Sequence, residues 1–172
     1  MFFLKDLPTY KNLHDLKTRY PDMDPAAVMS GAVLLRTGSD MLAALEKILG
    51  RYGLSLGRFL TLTVLNRDPE EEITPSDLAD RVGVTRATMT GLLDTLAKDG
   101  WIQRIQHNED RRRVVVRLTS EGLEHLGRML PGYFREISGI MAGLNEQERE
   151  TLVEILGKVR EGLAMFAQRS GS

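Results

Sequence analysis

The stretch HNEDRRRVVVRLT, residues 107–119, sets Asp110 directly before Arg111, Arg112 and Arg113 and then runs into valines. Three guanidiniums facing only water repel one another and add nothing to folding. Facing a polyanion they release counterions, and an arginine in a narrow minor groove meets focused negative potential. Asp110, two residues before Arg112, is placed to hold that guanidinium in one direction by a charge-assisted hydrogen bond, leaving Arg111 and Arg113 for backbone phosphates. The competing reading is an ordinary ion pair on a surface hairpin, which is worth little.

A second constellation lies upstream in LADRVGVTRATMTGLL. Ala79 must be small if the helix after it crosses close over its own, and Gly83, four residues on, takes a left-handed backbone without strain. Met89 would bury between the two helices with Leu78, Val82, Leu92 and Leu93. This is a helix-turn-helix pattern, whose second helix offers its exposed N-terminal face to a DNA major groove. Arg86, Ala87 and Thr90 fall on that face, flanked by Thr85 and Thr88. They supply a bidentate donor, hydroxyls and a methyl group suited to thymine. The start of the helix adds its own affinity for phosphate.

These residues need elements to hold them. Residues 1–24 read as an extension with one short helix near Tyr10 to Arg19. Asp24 then caps a long helix with Pro25 at its first position, running to about Tyr52. Its apolar stripe, Leu34, Met41, Leu45 and Ile48 with Leu35, Leu42 and Leu49 beside it, is broader than one packing partner needs. It suits either a core helix or one shared with a second copy of the chain. A further helix covers roughly Ser55 to Asn66. Thr74, Pro75 and Asp77 open the next with a capping box, and Thr85 caps another that Gly100 closes. WIQRIQ and RVVVRLT read as strands around the turn HNEDRR, which puts a two-stranded ribbon straight after the second helix of the helix-turn-helix. Thr119 or Ser120 starts a helix to about Gly143 with a kink expected at Pro131, and Asn145 with Glu148 starts the last, to about Gln168. The expected architecture is mainly α with a small β-hairpin wing. It divides into an extension (1–24), a dimerisation helix (25–54), a winged helix-turn-helix domain (55–118) and C-terminal dimerisation helices (119–172).

Bulk properties remove other classes. The chain has 172 residues, 42% of them apolar and 27% charged, with a net charge of −1 and no cysteine. The missing thiols exclude disulfides, cysteine metal sites and thiol redox switching. No apolar run looks close to the roughly 18 residues of a membrane span, so no membrane partner and cytoplasmic residence are expected, on the nucleoid when DNA is bound. Charge is unevenly spread. From Arg81 to Arg117 there are eight bases against four acids, and from Glu121 to Glu161 eight acids against five bases. His14, His107 and His125 lie far apart, and no Walker loop, dinucleotide fingerprint or HExxH occurs, so neither an enzyme nor a cofactor is expected. His107 beside Glu109 and Asp110 reads as a solvated turn before a metal site. A winged helix that docks on protein without reading DNA is the rival function, against which the hydroxyl-rich face from Thr85 to Thr90 argues.

TRATMTGLLDTLAKDGWIQR and NEDRRRVVVRLTSEG, with the order of helices around them, closely resemble the MarR family of bacterial winged-helix transcription regulators from about Asp24 onward. The resemblance implies a homodimer built on the terminal helices, recognition helices in successive major grooves, and Arg112 as the wing arginine with Asp110 orienting it. It implies a ligand-responsive repressor on a pseudo-palindromic operator. The effector would be a small, often aromatic molecule between the dimerisation helices and the winged domain, where Arg36, Asp40 and Phe59 fall in suitable segments. Each of the three is equally explained as an ion pair or a core residue. One departure is Gly91, where many relatives carry a basic residue. Exposed apolar surface on the first and last helices argues for a dimer on physical grounds alone.

Overall fold

Each helix begins where a polar side chain accepts a hydrogen bond from its own first turn, the placement that satisfies otherwise orphaned amides. Thr9 opens α1 (Tyr10–Arg19), Asp24 opens α2 (Pro25–Gly50) and Ser55 opens α3 (Leu56–Arg67). Thr74 and Thr85 do the same for α4 (Pro75–Val82) and α5 (Arg86–Lys98). Strands β1 (Ile102–Gln106) and β2 (Val114–Leu118) follow, then α6 (Ser120–Ile140) with Thr119 receiving Gly122 N at 3.0 Å. Asn145 and Glu148 close a reciprocal capping box on α7 (Glu146–Ser170) at 2.8 and 2.9 Å. This computed structural model describes residues 6–106 and 114–170.

The chain forms two compact units, Met1–Leu126 and Gly127–Ser172. The division falls inside α6, whereas the sequence pattern placed a segment boundary at the end of β2. The start of α6 belongs with the first unit because the wing is tied to it. Thr119 N donates to Trp101 O at 3.1 Å and its hydroxyl to Gly100 O at 2.6 Å. Gly122 lies so close that a Cβ there would sit 2.1 Å from the Trp101 carbonyl oxygen. That packing gives the TSEG run following the wing a steric reason.

In the first unit α3 is the hub: it packs on α2, α4, α5 and β2, and Phe59, Leu62 and Leu65 are buried on it. Thr61, also fully buried, keeps its hydroxyl satisfied by donating to Gly57 O at 2.8 Å. β1 and β2 pair antiparallel in the register Ile102↔Leu118 to Gln106↔Val114. The loop before α4 contributes a third extended segment, with Val116 N donating to Ile73 O at 2.9 Å. Side chains alternate across a strand, yet Val115 and Val116 are both buried, so each face of β2 is covered. This bridge had no counterpart in the sequence reading, because a single residue carries no period.

Two further expectations change. α6 ends at Ile140, short of Gly143, with Pro131 inside it. α2, by length and composition, does reach what a membrane span needs, with a mean hydropathy of 1.2 over its most apolar window and 6% of that window buried. Two charges, Arg36 and Asp40, are diluted there among alanine, valine and leucine, so reading for an unbroken apolar run overlooked it. Its exposed apolar residues are Val28, Val33, Leu34, Leu35 and Leu42. α7, in the second unit, exposes Val153, Ile155, Leu163 and Met165.

The Gly122 contact generates a stability prediction. Gly122→Ala should destabilise the fold by about 3 kcal/mol, the scale of overpacking against backbone that cannot yield. Gly127→Ala is the control, since a Cβ there meets nothing within 4 Å. Urea unfolding of both variants measures the difference, and equal midpoints would show that α6 shifts freely.

Candidate nucleic-acid interface

The α4–turn–α5 unit is fixed at its crossing point and at both caps. Thr74 and Asp77 form the expected capping box, with Asp77 N donating to Thr74 Oγ1 at 3.2 Å and Thr74 N to Asp77 Oδ2 at 3.1 Å. Gly83 ends α4 at φ 76 and ψ 38, a left-handed conformation that costs a residue with a Cβ. Gly83 N and Val84 N both donate to Ala79 O, at 2.9 and 3.0 Å. Ala79, Leu78, Met89 and Leu93 are buried as their spacing predicts. Val82 and Leu92 are only half-buried, and Leu92 leans toward α3, its Cδ1 3.2 Å from where a Cβ on Gly57 would stand.

Burying Met89 and Leu93 turns the opposite side of α5 outward. Thr85, Arg86, Ala87, Thr88 and Thr90 are all exposed. Their hydroxyls are less free than the sequence suggests. Thr85 Oγ1 accepts Thr88 N at 3.1 Å and shares a hydrogen bond with Thr88 Oγ1 at 2.9 Å. Thr90 Oγ1 donates to Arg86 O at 3.0 Å. Thr85 is thus first a cap, and Thr90 presents chiefly its methyl. Among the described residues Arg86 makes no side-chain hydrogen bond or ion pair, which leaves its planar fork available for a base edge or a phosphate. Gly91 is exposed, and a Cβ there would meet nothing within 4 Å.

The local positive charge is smaller than counting along the chain implies. Arg81 forms a two-pronged pair with Glu71, one arm at 2.7 Å, and Arg104 of β1 reaches Asp94 of α5 at 2.6 Å. The hydrogen bond from Arg81 holds the Glu71 carboxyl below its ordinary range and raises Arg81 in turn. Whatever stability this exposed pair gives is present above the ordinary carboxylate pKa and is lost as pH falls through the lowered one. Neither partner was legible beforehand: each pair spans ten residues and crosses between elements. The wing residues Asp110, Arg111, Arg112 and Arg113 lie outside the described residues, as does His107. Of the effector candidates, Arg36 and Asp40 pair with each other one turn apart on α2 at 2.8 Å, and Phe59 is buried on α3.

Two substitutions separate reading from general attraction. Arg86→Ala should cost about 1–3 kcal/mol on its preferred duplex and little on random DNA, checked by competition binding. Gly91→Lys should raise affinity for all duplexes and steepen the salt dependence by roughly one unit, while removing a helix-interior glycine gains up to about 1 kcal/mol of stability. Unchanged binding by the lysine variant would place that face of α5 away from DNA.

The MarR family model matches residues 54–114. Over 163 residues the chain is 36% identical to the HTH-type transcriptional repressor YetL of Bacillus subtilis (strain 168), covering 95% of this chain and 98% of YetL. The fold is similar to that of MepR in the S. aureus MepR–DNA complex, with a TM-score of 0.67 at 20% identity, covering 77% of this chain and 95% of that one. It is likewise similar to the PcaV regulator of Streptomyces coelicolor in complex with its natural ligand, with a TM-score of 0.66 at 21% identity, covering 81% and 96% of the two chains. With that identity running along nearly the whole chain, and with a helix-turn-helix followed at once by a two-stranded wing, the chain belongs to the MarR family of winged-helix transcriptional regulators.

Proposed function

We propose that this regulator is a repressor that binds a pseudo-palindromic duplex as a homodimer and releases it when a small molecule binds. The observation that carries the reading is the outward, unengaged Arg86–Ala87 face of α5, with a ribbon rooted immediately after it at Trp101. One helix in a major groove and one ribbon beside it make a half-site. The apolar residues left exposed on α2 and on α7 are what a second copy would cover. Two-fold pairing places the half-sites about 34–36 Å apart, one turn of the duplex. Repression is supported by the likeness to YetL along nearly the whole chain, and a small ligand by the shared fold of the PcaV complex.

The wing arginine is the part assigned from sequence. Arg112→Ala should weaken binding to every duplex and flatten the salt dependence by roughly one unit of slope. Selection from a random duplex pool, combined with sedimentation of the free protein, tests the whole reading. The expected result is a recovered palindrome and a dimer of twice 19.3 kDa. A single asymmetric motif bound by a monomer would overturn it.

A further inference from the structure

We infer that Arg58 is a positioning residue for DNA binding, one that sets the angle between the recognition helix α5 and the wing; the inference rests on the DNA-binding reading above. Arg58 lies in the first turn of α3, away from the exposed face of α5, yet its guanidinium engages three separate segments. Nη1 donates to Gly53 O in the α2–α3 turn at 3.0 Å. Nη2 forms an ion pair with Asp99, the C-cap of α5. The Cζ of the same group lies over the Trp101 ring, 4.8 Å from the ring centroid. Trp101 in turn stacks on His125 of α6, with centroids 3.9 Å apart and planes inclined by 20°.

The chain passes from the recognition helix into the wing within Asp99, Gly100 and Trp101, and Gly100 makes the bend at φ 76. The residues on either side of that bend are both held by Arg58. The Thr119 and Gly122 contacts and the Arg104–Asp94 pair already restrain the wing root, and Arg58 adds the clamp that ties both sides of the glycine bend to α3. β1 is five residues long, about 17 Å at strand rise, so a 10° rotation at its root moves the far end by about 3 Å. That displacement is as long as a hydrogen bond, enough to take a wing out of register with the backbone while the recognition helix stays in its groove.

Stability alone is a poor explanation for this arrangement. Asp99 sits at the negative end of the helix dipole, where a carboxylate is unfavourable without a nearby cation. A partly buried ion pair is weak evidence for net stabilisation, and Arg58 Nε is buried with no hydrogen-bond partner among the described residues. An apolar residue at 58 would fill the site with neither cost. What it lacks is a flat cation that binds a carboxylate, a carbonyl and an indole face together, and lysine lacks the flatness too.

The test is a double-mutant cycle on the whole 172-residue chain, read as operator affinity against salt for the wild type, Arg58→Gln, Arg112→Ala and the double variant. Arg58→Gln should lower affinity about tenfold and flatten the salt slope in the wild-type background, but cost less than about twofold once Arg112 is gone. Arg58→Lys should fall between, keeping charge without the planar contact. Equal losses in both backgrounds, or an unchanged salt slope, would overturn the inference. Should Arg58→Gln melt below the assay temperature, Asp99→Asn replaces it in the same cycle with the same criterion. A wild-type protein that ignores all duplex DNA would instead sink the DNA-binding reading itself, so the two failures are distinguishable.

Discussion

Burial of Met89 and Leu93 on one side of α5 is the constraint from which its outward face follows. Both side chains lie on one face of a helix little more than three turns long, so burying them leaves the orientation of the other face no choice. Arg86 and Ala87 point outward because Met89 points inward. The turn between α4 and α5 is tight because Gly83 ends α4 in a left-handed conformation with no Cβ to strain, its N–H and that of Val84 both donating to the carbonyl of the buried Ala79. Core packing and the outward face of α5 are therefore one geometric fact.

The wing depends on a different kind of contact. Its root is fixed by backbone proximity, with Gly122 against the Trp101 carbonyl and Thr119 tied to Gly100 and Trp101, and by the polar–aromatic cluster around Arg58. Little apolar area holds β1, whose residues beyond Ile102 are exposed. A ribbon attached this way is stiff at its base and offers its length to a partner. The charges around it are partly self-compensated through Arg104–Asp94 and Arg81–Glu71, which leaves fewer cations to set the position on DNA. A molecule of net charge near zero then concentrates its attraction in a few arginines, an arrangement that favours position over general adhesion.

The long helices serve a separate purpose. α2 is apolar enough over its length to resemble a span and carries exposed valines and leucines that its own unit does not cover. α7 has the same imbalance in the second unit. Surfaces of this kind in a regulator with a one-sided reading face are resolved most economically by a second copy, which also doubles the contact with DNA.

Local chemistry made much of this legible from residues alone. Caps at Asp24, Thr74, Thr85 and Asn145, glycines at 83 and 100, and the switch from helical to alternating period around Trp101 each act within a few positions of chain, so their consequences can be read along it. The order of elements and the outward face of α5 followed. Contacts between residues far apart in sequence could not be read in that way: Ile73 against Val116, Arg58 over Trp101, and the acids that claim Arg81 and Arg104. Each depends on which elements happen to approach once the core closes, and a charge or an aromatic ring carries no periodic signal of its partner. The sequence by itself therefore determined which helix turns its polar face outward and which hairpin follows it. Only tertiary packing decided which arginines remain free to bind and what holds the wing at its angle, because those are properties of distances in space rather than of spacing along a chain.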